Sequence, residues 1–224
     1  MEKKLNELTD NKILKWLPWV GRYFNDSNNR LLIVGESHYY NPEDQKSIDN
    51  HNNIEYTRIC INDIGIKKEY KRYQDKRTAR LFPNFHKTVF GNDKTNSEVL
   101  WQNVAYYNFI QSPMHSNKSR PSTKEIYEGW DSFFEVLKIL RPDRVLFIGS
   151  EALNKFNVYA KRKDIEFTKF KYHKIADAQI SRDFKISFED RYIKVDSIRH
   201  CSSHFSIDKW RGYFKASDFF DFIN

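Results

Sequence analysis

The run Leu31-Leu32-Ile33-Val34-Gly35 constrains the fold more than any other stretch of this chain. Four consecutive branched apolar residues read as a strand buried on both faces, the pattern of a parallel strand with helices packed on each side. Gly35 breaks the strand, and Glu36, Ser37, His38, Tyr39 and Tyr40 follow at once. In an open α/β sheet, ligands bind just beyond the carboxyl ends of the strands. A carboxylate, a hydroxyl, an imidazole and two phenols there are badly placed for packing and well placed for chemistry. The plainer reading of the same residues is a polar turn that caps the next helix through Ser37 or Asn41.

Three further apolar runs extend the pattern. Asn103 to Ile110 reads as a second buried strand, Arg144 to Gly149 as a third and Tyr192 to Ile198 as a fourth. Between the second and third, Thr123 to Leu140 places Ile126, Trp130, Phe133, Phe134, Leu137 and Leu140 on one face of a helix, which Arg141-Pro142-Asp143 ends. Ser150 to Leu153 opens a short helix, and Ile207 to Ile223 reads as a closing one. Apolar residues at helical spacing between Asn11 and Phe24 predict an N-terminal helical segment within residues 1–30, kinked or restarted at Pro18. Ile48 to Phe90 holds two further helices, whereas the lysine-rich section from Tyr159 to Asp190 carries no clear period. This alternation predicts an α/β fold: a three-layer α/β/α sandwich around a four-stranded parallel sheet with right-handed crossovers. Strand ends in such a sheet share one edge. Glu36 with Ser37, Asn108 with Gln111, and His200 with Ser202 should therefore converge although they are far apart in sequence.

Composition bounds the class. A chain of 224 residues without repeats or long linkers suits one domain, 1–224. Its 18 Phe, 13 Tyr and 5 Trp predict a core rich in aromatic rings. No apolar run approaches the ~20 residues of a membrane span, and the N-terminus lacks a signal-peptide apolar region, so the expectation is a cytoplasmic protein with no membrane partner. Cys60 and Cys201 are too few for a disulfide framework or a four-cysteine cluster, and no glycine-rich phosphate loop is present. No cofactor and no metal are expected. A net charge of +8 favours a polyanionic partner, with nucleic acid the commonest, unless the lysines are spread evenly over a solvated surface.

Taken in order, the motifs resemble those of the uracil-DNA glycosylase superfamily. Its first motif, Gly-Glu/Gln-x-Pro-Gly/Tyr after the first strand, is similar to Gly35-Glu36-Ser37-His38-Tyr39. A strand ending in a base-reading Asn is similar to Tyr106-Tyr107-Asn108. The Gly-Trp-x-x-Phe helix start and the Pro-x-x-Val-Leu-Phe-x-Gly strand resemble Gly129 to Phe133 and Pro142 to Gly149, with Ala152 after them. The last motif, His-Pro-Ser with an aromatic helix after it, resembles His200-Cys201-Ser202-Ser203 leading to Trp210 and Phe220. The likeness runs from Leu31 to the C-terminus. His38 and Cys201 replace the motif prolines, and the two cysteines cannot build the iron–sulfur cluster of the branches with Gly-Glu-x-Pro-Gly, so the resemblance is to a divergent branch.

That resemblance implies a monomeric enzyme that binds single- or double-stranded DNA and hydrolyses the N-glycosidic bond of uracil or another damaged base. Breaking that bond creates an oxocarbenium-like sugar and an anionic base. Glu36 would stabilise the sugar or orient water, and His200 would donate to the oxyanion of the base. Asn108 would read the edge of a flipped base, with Tyr39 and Tyr40 walling the pocket. Ser37, His38, Ser202, Ser203, Phe205 and Arg211 complete the expected DNA contacts, with Phe205 and Ile207 as candidate wedges or as simple packing under the last helix. The rival reading is a binding protein of the same fold without catalysis. A serine hydrolase is a minor alternative, because Gly35 to Tyr39 lacks the second glycine of a nucleophile elbow. His200 and His204 as a metal pair lack a neighbouring acid other than Asp208.

Overall fold

The sheet is built outward from the four apolar runs. In the computed structural model, which describes residues 1–39, 41–70, 78–92, 95–115, 119–202 and 204–223, β1 is Trp19–Val20, β2 Leu31–Gly35, β3 Val104–Asn108 and β4 Arg144–Ile148. They are followed by β5 (Lys171–Ala176), β6 (Gln179–Phe188) and β7 (Arg191–Ile198). The order across the sheet is β1-β3-β2-β4-β7-β6-β5. β3, β2, β4 and β7 are mutually parallel neighbours, while β1, β6 and β5 pair antiparallel. The expected four-stranded parallel sheet is thus the centre of a seven-stranded mixed one. Two additions explain the difference: a two-residue edge strand, and a hairpin cut from the lysine-rich section.

Eight α-helices clothe the sheet among the described residues: α1 (Glu2–Asp10), α2 (Gln45–Asn52), α3 (Tyr56–Cys60), α4 (Thr78–Phe90), α5 (Glu98–Asn103), α6 (Thr123–Leu140), α7 (Phe156–Arg162) and α8 (Ile207–Ala216). Strand alternation divides the core in two. Leu32, Val34, Ala105, Tyr107, Val145 and Phe147 point to one side, where α1, α6 and α7 pack. Leu31, Ile33, Val104, Tyr106, Leu146 and Ile148 point to the other, against α3, α4, α5 and α8. Every residue of β2 and β3 is buried, as two-sided coverage demands. Trp130 of α6 is the hub of the first layer, with Phe109, Phe133, Phe147 and Phe156 rings 4.5–5.6 Å from its own.

The helix expected over Asn11 to Phe24 does not form. The regular helix lies earlier, at Glu2–Asp10, and Lys12 takes a left-handed φ of 57° that stops it. Leu14 and Leu17 then enter one core and Trp16 the other. A segment that must feed both layers has no single apolar face, so its three-to-four spacing is not a helical one. The closing helix is also shorter than expected, ending at Ala216.

α6 matches its expected bounds, and its ends show why. Ser122 accepts from the Glu125 N–H while the Glu125 carboxylate accepts from the Ser122 N–H, a reciprocal cap. Arg141 closes the helix in the left-handed conformation, φ 46°. Ser122→Ala should cost about 1 kcal/mol and lower the melting midpoint by roughly 2–4 °C for a chain of this size. Thermal unfolding followed by circular dichroism checks this; an unchanged midpoint would show that the cap contributes nothing.

Candidate active site

The topology locates a crevice before any side chain is considered. The chain passes from β2 to β3 on one side, then crosses to β4 on the other side of β2. Neighbouring strands whose connections leave in opposite directions part at their carboxyl ends, so the switch point falls between β2 and β4. A narrow cleft, partly open to solvent, lies there. Glu36, Phe109, Ile110, Pro121, Glu151 and Ala152 are among its walls. Backbone bonds tie the strand ends together: Phe109 N–H to the Gly35 carbonyl and Ile110 N–H to the Glu36 carbonyl, both 2.9 Å, and Gly149 N–H to the Ile198 carbonyl, also 2.9 Å.

Glu36 lines this cleft directly. Burial raises its pKa, the Glu151 charge adds to the rise, and the Arg120 guanidinium opposes it. A carboxylate so held is a stronger base than an exposed one. His200, two strands away after β7, does not line the cleft but feels the same Arg120 charge. Burial, helped by that charge, pushes its pKa down to about 4, so it is neutral near pH 7. The Ser202 backbone N–H lies 3.3 Å from His200 Nδ1 and can only donate, so Nδ1 accepts. The ring proton therefore sits on Nε2, which is left as a neutral donor. Arg120 is the residue that joins these two groups, and no strand-end rule singles it out, because it lies in the long β3–α6 loop.

Asn108 faces the other layer. Its side chain is buried, and its Oδ1 accepts from the Tyr106 hydroxyl at 2.9 Å. A Cβ at Gly35 would fall 2.1 Å from that hydroxyl and 2.3 Å from Asn108 Oδ1, so only glycine lets the pair lie across β2. With neighbouring strands about 4.8 Å apart, the Glu36 and His200 backbones are separated by two strand spacings and those of Asn108 and His200 by three. Asn108 approaches the sheet edge from one layer, with Tyr106, and Glu36 from the other.

The remaining expected contacts divide. His38 is buried, not presented to a ligand: its Nε2 sits 2.9 Å from Thr57 Oγ1, and the Trp16 and Tyr56 rings lie 4.8 and 4.6 Å away. It makes an aromatic core contact and is not among the walls of the cleft. Tyr39 is half-buried beside it, bridged to Met114. Ser37 is partly exposed at the strand end, and Ser202 Oγ lies 2.8 Å from His200 Nδ1. Phe205 stacks on Trp210 at 5.7 Å and 3°, the packing alternative for that residue, while Ile207 opens α8. Arg211 reaches the carbonyls of Thr88 and Val89 at 3.4 and 2.9 Å, which makes it a cap on the C-terminus of α4. Tyr40 and Ser203 lie outside the described residues. Asn84 of α4, which the sequence reading passed over, donates to the Cys201 carbonyl at 2.6 Å and anchors the His200 turn.

Fold and site together define an α/β protein with a largely apolar cleft at the strand ends, into whose walls two carboxylates, Glu36 and Glu151, are set, with a neutral imidazole beyond it. No family model matches the chain, and no curated protein matches it. Among the described residues, no helix is long and apolar enough to cross a membrane, and no group of three or more His, Cys, Asp or Glu is placed to hold a metal ion.

Proposed function

We propose that this chain is a DNA N-glycosylase of the uracil-DNA glycosylase type, removing uracil or another damaged base as the first step of excision repair. The observation that carries the reading is the cleft at the switch point, lined by Glu36, a carboxylate made more basic by burial, with His200 held neutral beyond it at the end of β7. In the reaction, water attacks the anomeric carbon as the glycosidic bond breaks, and the bonding pair leaves with the base. Glu36 takes the proton of the water and faces the developing sugar cation. The His200 Nε2–H donates to the oxygen of the departing base, whose charge spreads there. A neutral donor suits an anionic leaving group, because no proton need be removed from it before the next turnover. Arg120 supplies a positive charge beside both steps.

A strand-cleavage assay on oligonucleotides with uracil, hypoxanthine, xanthine or mismatched thymine, developed with alkali, tests the reading. Alkali-labile breaks at one of these bases are the expected result, and DNA affinity should fall steeply between low and moderate salt as phosphate contacts are screened. One observation favours a protein that binds without cutting: Asn108 spends its Oδ1 on Tyr106 and is not among the walls of the cleft. Salt-sensitive binding with no cleavage anywhere on the panel would decide for that second reading. Salt-independent binding, or none, would replace DNA with a small-molecule ligand.

A further inference from the structure

The β5–β6 hairpin is the part of the fold that the site does not use. It adds two strands to the sheet beyond β7, and its turn lies at the same edge as the parallel strand ends, where the Arg199 guanidinium donates to the Ala178 carbonyl at 3.1 Å. Between residues 169 and 185 stand Lys169, Lys171, Lys174, Arg182 and Lys185 against two acids, Asp177 and Asp183. Both acids have partners, Asp183 in His173 and Asp177 in an exposed ion pair with Lys174 at 3.8 Å. Tyr172 and Arg182 are cross-strand partners and share a face, with the guanidinium 6.0 Å from the ring. That ring is 63% exposed, and Ile180 nearby is 50% exposed. Arg182 also bonds Asn154 at 2.8 Å, and Asn154 in turn lies 3.3 Å from Glu151 on the cleft wall. The basic hairpin with its exposed ring is thus joined to the rim of the cleft through Asn154 and Glu151.

We infer that this hairpin is a landing platform for single-stranded nucleic acid, with Tyr172 stacking on an unpaired base and Arg182 and Lys174 meeting its phosphates. The inference rests on the nucleic-acid part of the reading above and extends it to the form of the strand. An exposed aromatic ring set among cations is what sequence-tolerant single-strand binding needs, because every base has a face to stack and every link carries a charge. A duplex offers its phosphates but hides its base faces, so it would gain from the cations and not from the ring.

Fluorescence anisotropy with a labelled oligothymidylate of about 15 nucleotides, within the site sizes of single-strand binders, and with a duplex of equal length, tests it. The duplex is fully paired and the oligothymidylate has no mismatch, so neither probe presents a lesion of the cleavage panel. Tyr172→Ala should weaken single-strand binding about 5- to 150-fold, the range for losing one stacked base, and change duplex binding less than about twofold. Tyr172→Phe keeps the ring and should keep the affinity. Arg182→Gln should reduce the slope of log K against log salt by about 0.7 on the single strand. Tyr192, 59% exposed but on the opposite face of the sheet, is the control, and Tyr192→Ala should change nothing. Equal single-strand affinity of Tyr172→Ala and wild type, an equal loss in Tyr192→Ala, or no binding by the wild type would each overturn the inference. Binding through Tyr172 without cleavage on the panel would uphold the platform and overturn the glycosylase; cleavage with binding indifferent to Tyr172 would do the reverse.

Discussion

Glu36→Gln should lower the rate of base release by about 10²- to 10⁴-fold, the usual contribution of a positioned acid or base, while DNA affinity stays within about twofold. In the proposed mechanism the carboxylate faces a charge that exists only as the sugar becomes cationic, so its removal should be felt in the transition state and hardly in the complex. Glutamine keeps the shape and the cleft contacts of Glu36, which separates charge from packing. His200→Ala should cost about 10²- to 10³-fold, the scale for one lost oxyanion donor. Single-turnover cleavage with enzyme in excess reads these effects free of product release. A Glu36→Gln protein that cleaves at the wild-type rate would remove Glu36 from the mechanism.

Stability should fall steeply in mild acid, the second large effect. Burial lowers the pKa of His38 and His86 to about 3 and of His200 to about 4, against 6.5 for a free ring. Each ring is neutral in the fold and takes up a proton on unfolding, so its contribution is complete above pH 6.5 and is lost as pH falls towards the folded value. With three such rings the unfolded chain binds up to three more protons, a slope of about 4 kcal/mol per pH unit at its steepest. Glu36 and Asp196, whose pKa values burial raises, work against the loss at the acid end of the window. His86 shows the structural cost: its Nε2 accepts from the Trp101 indole at 3.0 Å, a bond that a second ring proton would break. Urea midpoints measured from pH 7 to 4.5 should drop throughout, and His86→Gln, whose carbonyl can still accept from Trp101, should make the slope shallower by one proton. A flat profile across that range would contradict the burial of these rings.

Those three histidines also mark the line between what could be read in advance and what could not. The strand ends at Glu36 and Asn108 were legible because β2 and β3 are almost uninterrupted apolar runs, and a strand buried on both faces leaves no ambiguity of period. α6 was legible to the residue because Ser122, Glu125 and Arg141-Pro142 mark both its ends. The β5–β6 hairpin was not. Four of the six residues of β5 are exposed, and lysines occupy positions on both faces, so charge hides the two-residue period. Arg211's bond to the end of α4, over a hundred residues away in sequence, was likewise invisible in the order of residues.

The sequence by itself determined a parallel α/β core, the register of polar residues at its carboxyl edge and the bounds of its longest helix. These follow from apolar period and capping chemistry, which act over a few residues. Only the tertiary structure decided that His38 serves the core, that Asn108 leans on Tyr106 over Gly35, and that Arg120 sits where it charges both Glu36 and His200. Those outcomes depend on which layer each side chain enters and which distant segment meets it there. Burial and electrostatic coupling are properties of that meeting, and the order of residues along the chain does not carry them.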